Sequence, residues 1–419
     1  MNCRFCKTVL KHVFIDLGNA PASNSFLTAE QLNEPETYYP LKVFVCDKCF
    51  LVQIEEYKKS DAIFNSEYVY FSSYSTSWLS HSKAYVDMME KRFGLNGQSL
   101  VAEVASNDGY LLQYFVEKKI PVIGIEPTQN TAKVARQKGI DTITEFFGER
   151  LADRLAAEGR QADLVLGNNV LAHVPDIMDF VAGLKKMVRP SGVVTMEFPH
   201  LMQLLENNQF DTIYHEHFSY LSLYTVRQIF EANGLSLFDV EEIPTHGGSL
   251  RIFAKRSDNK DHAVSGRVQE VLEKEDRAGL RDISTYKNFQ DRAESIKLEL
   301  LEFLIQAKRK NKTVVAYGAA AKGNTLLNFC GIKNDLIAFV ADANPAKQGK
   351  YLPASHIPVM REEDLKQSKP DYVVIFPWNI KEEITSQLDY IRDWKGKFIV
   401  SIPKFEILSV NHPSTTYAG

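Results

Sequence analysis

The stretch that decides the fold is SLVAEVASNDGYLLQYFVEKKI, residues 99–120. Leu100 to Val104, apolar but for Glu103, is too short for a helix and is stopped by a turn of small residues. That is how a strand covered on both faces reads. Ala105 to Gly109 forms the turn, and the residues after it have a helical pattern. The same unit follows at once in PVIGIEPTQNTAKVARQKG (121–139), where an acid, Glu126, ends the strand. DTITEFFGERLADRL (141–155) and ADLVLGNNVLAHVPDIMDFVAGLKKMV (162–188) continue it, and SGVVTMEFPH (191–200) adds a further strand. Strands alternating with helices predict an α/β fold with a parallel, doubly wound sheet. Its ligand is expected beyond the carboxyl ends of the strands.

Downstream the pattern changes. YTVRQIFEANG (224–234) reads as a helix closed by Gly234. LSLFDVEEIPTHGGSLRIFAKR (235–256) reads as two strands joined by a short link, hence an antiparallel edge. Ser257 to Lys310 is charged and helix-rich. At KTVVAYGAAAKGNTLLNFCG (312–331) a second strand–turn–helix begins, followed by strands near Asp342, in KPDYVVIFPWNI (369–380) and in GKFIVSIPKFEIL (396–408). That makes a second α/β domain of about a hundred residues. Upstream, residues 61–98 look helical, with Tyr68, Tyr70 and Tyr74 near the start. A pocket-lining role for Tyr70 to Ser75 stands beside the plainer reading of aromatics packed on the next domain.

Bulk properties narrow the function. A chain of 419 residues exceeds one ordinary core, so two or three domains are expected. A composition 44% hydrophobic and 24% charged is that of a folded protein. The net charge of −4 argues against a general nucleic-acid binder, because no basic excess is available to neutralise phosphates. There is no bilayer-length apolar run, and MNCRFCKTVL at the start lacks a signal-peptide core. A soluble, cytoplasmic protein with no membrane partner is expected. Of five cysteines, four form two Cys-x-x-Cys pairs: Cys3 and Cys6 in CRFC, and Cys46 and Cys49 in CDKC. Two unrelated redox pairs are the alternative. Two such pairs in one short segment favour a closed tetrahedral zinc site, which holds fold rather than chemistry.

The turn EVASNDGY lacks the Gly-x-Gly-x-x-Gly of a nicotinamide site. It resembles the first motif of class I S-adenosylmethionine methyltransferases, with Glu103, Ala105 and Asn107 as cofactor positions. By that resemblance Glu126 meets the ribose hydroxyls, for which a carboxylate acceptor is suited. Phe146, in EFFG, lies where adenine is held, and Asn168, in LGNNVLAHVPD, lies in the fourth-strand motif. A helix N-terminal acid and plain core phenylalanines are the competing readings.

CRFC, CDKC, EVASNDGYLL, YHEHFSYLS (214–222), HGGSLR (246–251) and YGAAAKGNTLLN (317–328) together resemble, in order, the sugar C-methyltransferases that act on nucleotide-linked 4-keto-deoxyhexoses. The resemblance implies a zinc-binding module (residues 1–60), a Rossmann-like methyltransferase domain with its leading helix (61–256), a helical connector (257–300) and a Rossmann-like nucleotide-sugar-binding domain (301–419). It implies S-adenosylmethionine and structural zinc as cofactors and a small-molecule nucleotide sugar as substrate. A monomer is expected.

Methylating carbon needs a carbanion or enolate. A ketone acidifies the neighbouring C–H bond, a base removes the proton, and a donor stabilises the oxyanion. A histidine has the right basicity. By resemblance His217 is the leading base, Glu216 its partner or an alternate base, and Tyr214 a carbonyl or sugar contact. Tyr70, His173 and His246 are substrate candidates. YHEH is not a His-Glu-x-x-His zinc site, because no second histidine falls at the required spacing. Two hydrogen-bonded core histidines remain the bland alternative. In the last domain YGAAAKGNTLLN suits a pyrophosphate at a helix start, with Lys322, Asn324 and Asp342 as substrate contacts. A dinucleotide at Asp342 is the runner-up there. For the whole chain, an O- or N-methyltransferase, a non-catalytic sugar-nucleotide binder and an NAD-linked epimerase or dehydrogenase stay open.

Overall fold

The computed structural model describes residues 1–59 and 71–408. Tyr70 and Tyr68, raised above, lie outside the described residues. The chain clusters into two compact units: residues 1–16, 42–204 and 215–288 form one, and residues 17–41, 205–214 and 289–419 the other. The sequence suggests breaks near 60, 256 and 300. The chain moves between the units five times, after residues 16, 41, 204, 214 and 288.

The first unit opens with β1 (His12–Ala20) and β2 (Tyr39–Val45), which also carry the chain into and out of the second unit, and β3 (Val52–Ile54). Its main sheet contains β4 (Val101–Val104), β5 (Val122–Ile125), β6 (Thr142–Ile143), β7 (Ala162–Asn168) and β8 (Val188–Pro199). A two-residue strand, β9 (Ser219–Tyr220), follows, then β10 (Leu235–Ile243) and β11 (Ser249–Arg256). The seven-stranded sheet runs β10-β11-β8-β7-β4-β5-β6, and the small sheet runs β1-β2-β3-β9. β4, β5, β6, β7 and β8 pair in parallel, whereas β11 is antiparallel to both β8 and β10. Every side chain of β4 is buried, the apolar Val101, Ala102 and Val104 and the carboxyl of Glu103 alike.

The helices start where their caps place them. Ser75 accepts from the Trp78 N–H at 3.2 Å to open Thr76–Phe93, and Gly94 closes it at φ 64°. Asp176 caps Ile177–Met187 and Ser222 caps Leu223–Ala232. The segment expected as a helical connector holds the helix Gly266–Arg277. Glu275, on the helix Gly266–Arg277, is buried and accepts from the N–H groups of Leu223 and Tyr224 and from the His200 ring at 2.7 Å. One carboxylate thereby satisfies orphan donors of the Leu223 helix and ties Gly266–Arg277 into the first unit.

The second unit has β12 (Val314–Tyr317), β13 (Val340–Ala341), β14 (Val359–Met360), β15 (Tyr372–Ile375), β16 (Lys397–Val400) and β17 (Glu406–Leu408). Their order is β14-β13-β12-β15-β16-β17, parallel except for β17. GKFIVSIPKFEIL, read as one strand, is two: the chain turns at Pro403 and β17 runs back along β16. No helix among the described residues is long and apolar enough to cross a membrane.

Candidate active site

A cavity of about 330 Å³ opens at the carboxyl ends of β4, β5 and β7, where a doubly wound sheet places its ligand. Its floor is the turn after β4. Ala105, Asn107 and Gly109 all hold positive φ (58°, 48° and 73°). Left-handed backbone at two non-glycine residues is strained, and it turns the loop tightly enough to aim its backbone into the cavity. Gly109 is obligatory for a second reason: a Cβ there would lie 2.3 Å from Ile140 Cδ1.

Glu126 lines the cavity. One of its oxygens accepts from the Asn107 N–H at 2.9 Å and the other from the Thr128 N–H at 2.9 Å. Burial raises this carboxyl above its ordinary range, against the pull of those hydrogen bonds. Phe146 stands at the rim, 48% exposed, while Phe147 packs against Phe180 with ring centroids 5.3 Å apart. A half-exposed phenylalanine beside a cavity is what a planar base would cover. Asn168 lines the wall with both side-chain polar atoms buried and no partner in the protein. A buried amide left in that state is costly unless a ligand completes it. Strained loop, ribose acid, aromatic rim and orphaned amide together fit S-adenosylmethionine. Glu103 does not line the cavity. It is fully buried in β4, and that burial raises its carboxyl well above the usual range, so it acts beneath the loop rather than on the ligand.

The cysteines converge. The Sγ atoms of Cys3, Cys6, Cys46 and Cys49 all lie within 4.8 Å of one another, with Cys3–Cys49 and Cys6–Cys46 both at 3.5 Å. Ligands about 2.3 Å from a tetrahedral zinc are roughly 3.8 Å apart, so the set fits the ion with no open position. The two knuckles share a geometry. The Lys7 N–H donates to the Cys3 carbonyl and the Phe50 N–H to the Cys46 carbonyl, both at 3.0 Å, with φ near 60° at Lys7 and Phe50.

Two histidines meet beside the cavity. His173 ends a single turn, Leu171–His173, directly after β7, and lines the cavity. His217 lies two residues before β9, buried, and the two rings meet edge to face at 4.6 Å. The His173 ring takes the Glu216 backbone carbonyl as hydrogen-bond partner, yet burial pushes its pKa down to about 4, so it is a neutral imidazole at physiological pH. Glu216 itself is buried. Tyr214 falls in the second unit, as the last residue before the chain re-enters the first.

Comparison with known proteins decides the class. Residues 3–64 match a zinc binding domain family, residues 89–240 a methyltransferase domain family, and residues 244–403 the C-methyltransferase C-terminal domain family. C-methyltransferase NovU of Streptomyces niveus is 36% identical over 407 residues, 97% of this chain and 96% of its own. The chain belongs to the S-adenosylmethionine-dependent C-methyltransferases. A ubiquinone biosynthesis O-methyltransferase of Bartonella bacilliformis is 25% identical, over 22% of this chain and 38% of that one. Magnesium protoporphyrin IX methyltransferase of Synechocystis PCC 6803 is 18% identical over 43% of this chain and 79% of that one, with a TM-score of 0.33.

This C-methyltransferase brings Ala105, Asn107, Glu126, Phe146, Asn168, His173 and His246 to one cavity. His246, expected at the substrate through its glycines, lines this cavity edge-on to Trp78 at 5.0 Å. Trp78 went unnoticed in the sequence. It stacks on Tyr110 and on His81, and His81 hydrogen-bonds Glu197 at 2.8 Å. Burial alone would raise Glu197, but His81 and Arg251 outweigh it and hold the carboxyl low. A tryptophan at the start of a predicted helix was the one available signal for this wall.

The remaining candidates belong to the second unit. Gly318, at φ 85°, turns the chain into the helix Ala321–Cys330. Asp342 accepts from the Ala319 N–H at 2.6 Å and the Asn344 N–H at 2.8 Å, so it braces the turn. Asn324 donates to the Ser23 carbonyl at 2.6 Å. Lys322 donates to Asn379 at 2.7 Å and lies 4.6 Å from the Trp378 ring centroid. Burial lowers its pKa, opposed by Asp211, which burial pushes up to about 6.

Proposed function

We propose that this C-methyltransferase methylates a nucleotide-linked 4-keto-deoxyhexose at the carbon alpha to the ketone, through an enolate. The observation that carries this reading is the His173–His217 pair, edge to face and adjoining the cofactor cavity. When bound, S-adenosylmethionine supplies an electrophilic methyl group. His217 removes the alpha proton, and the neutral His173 ring, held by the Glu216 carbonyl, fixes its edge. Tyr214 donates to the developing enolate oxygen, and Glu216 is the alternate base. The start of the helix Ala321–Cys330 offers backbone N–H groups to the diphosphate. Lys322 and Asn324, engaged by Asn379 and Ser23, shape that helix start alongside Asp342. The enzyme acts as a cytoplasmic monomer on a free nucleotide sugar.

The test is mass spectrometry of products from dTDP- and GDP-linked 4-keto-deoxyhexoses, with the alpha proton followed in deuterated water. A methyl group on carbon and enzyme-dependent deuterium uptake are expected. A methyl group on oxygen or nitrogen, or no uptake, overturns the enolate route.

A further inference from the structure

The zinc module looks like scaffolding until its contacts are traced. Arg4 sits between the ligands Cys3 and Cys6, yet its side chain leaves the knuckle. One guanidinium nitrogen donates to the Pro175 carbonyl at 2.5 Å and another to the Ile54 carbonyl, with the Phe218 ring centroid 5.5 Å from its carbon. Pro175 is two residues past His173, and Phe218 immediately follows His217. The Phe218 N–H donates to the Ala172 carbonyl at 2.7 Å, which joins the two histidine loops back to back. β3 supplies the second link. Gln53 is fully buried. It accepts from the Arg4 N–H at 2.8 Å, donates to Cys3 Sγ at 3.2 Å, and pairs with Ser219 of β9. The other knuckle reaches beyond the loop: the Cys49 carbonyl accepts from Thr225 Oγ1 at 3.2 Å and from Gln228, both on the helix Leu223–Ala232. The segment carrying His217 is therefore gripped by one knuckle before β9 and by the other after it.

We propose that the zinc module positions the histidine pair, with Arg4 as the positioning residue through which it acts. This rests on the reading of His217 as base. A planar guanidinium can hold two carbonyls at a fixed angle while covering a ring face, which an ammonium cannot. A base displaced by about 1 Å loses on the order of a hundredfold in rate, so a clamp on both loops bears on turnover and not on stability alone.

The experiment uses the full-length, zinc-loaded chain with Arg4→Met and Arg4→Lys. Metal content, calorimetry with S-adenosylhomocysteine, kcat and KM for the keto-sugar, and imidazole resonances of labelled histidines are measured. With one zinc per chain and cofactor affinity kept, kcat should fall about tenfold or more, with partial recovery in Arg4→Lys. The resonances of His173 and His217 should move while that of His262, stacked on Phe238, stays. If Arg4→Met does not fold, Arg4→Lys is read alone by the same criteria. Wild-type kcat with unmoved resonances overturns the proposal, and so does loss of zinc in the variants, because Arg4 would then serve only the knuckle. A His217→Asn enzyme that still turns over refutes the base assignment instead, and the resonances still decide the clamp.

Discussion

His173 and His217 meet edge to face at 4.6 Å, and His173 is the one that lines the cavity. In the proposed mechanism the ring behind takes the proton, and the ring in front holds it in place. His217→Asn should lower kcat by about 10²- to 10⁴-fold with S-adenosylhomocysteine affinity unchanged. His173→Asn should cost less in kcat. Turnover and calorimetry on both variants check the asymmetry.

The half-buried His173 also makes stability depend on pH. Its folded pKa, about 4, lies below that of a free imidazole, about 6.5. The unfolded chain therefore takes up a proton that the native state refuses. The stabilisation is complete above about pH 6.5 and is lost as pH falls towards 4, up to about 3 kcal/mol, less where cavity water reaches the ring. Melting temperatures across that range should fall less steeply in His173→Asn than in the parent.

Glu126 braces two loop amides and faces the cavity. Glu126→Gln sets an NH₂ against those N–H groups and removes the charged acceptor. Affinity for S-adenosylhomocysteine should drop by about 10- to 100-fold, the worth of one or two hydrogen bonds to a charged group. Calorimetry reads it directly.

Zinc and fold should be lost together. Cys46→Ser removes one of four ligands from a closed set, so metal analysis should show no stoichiometric zinc and thermal melts should show a large drop. Because the ligands are thiolates, protons compete for them. In the parent, zinc should be released as pH falls, and a chelator should act faster in acid.

Much of this was legible in the chain because it is local. Leu100 to Val104 announced a covered strand by a run apolar but for Glu103, the two Cys-x-x-Cys pairs announced their own convergence, and Glu126 ended a strand where an acid is useful. What stayed hidden depends on the meeting of distant segments. Trp78 reads as one more helix aromatic until Tyr110, His81 and His246 gather around it. Glu103 reads as a ligand residue until burial puts it beneath the loop. Arg4 carries no periodic or motif signal at all, because its partners are 50 and 171 residues away. Glu275 sits in a charged helix that looks solvated, and its single inward carboxylate holds the start of another helix.

The five passages of the chain between its two units carry a lesson for engineering. A module joined by one linker can be exchanged between relatives at one junction. Here a graft of the C-terminal half alone would leave residues 17–41 and 205–214 of the host to complete a foreign partner. Exchanging the second unit by recombination would require three segments to move together.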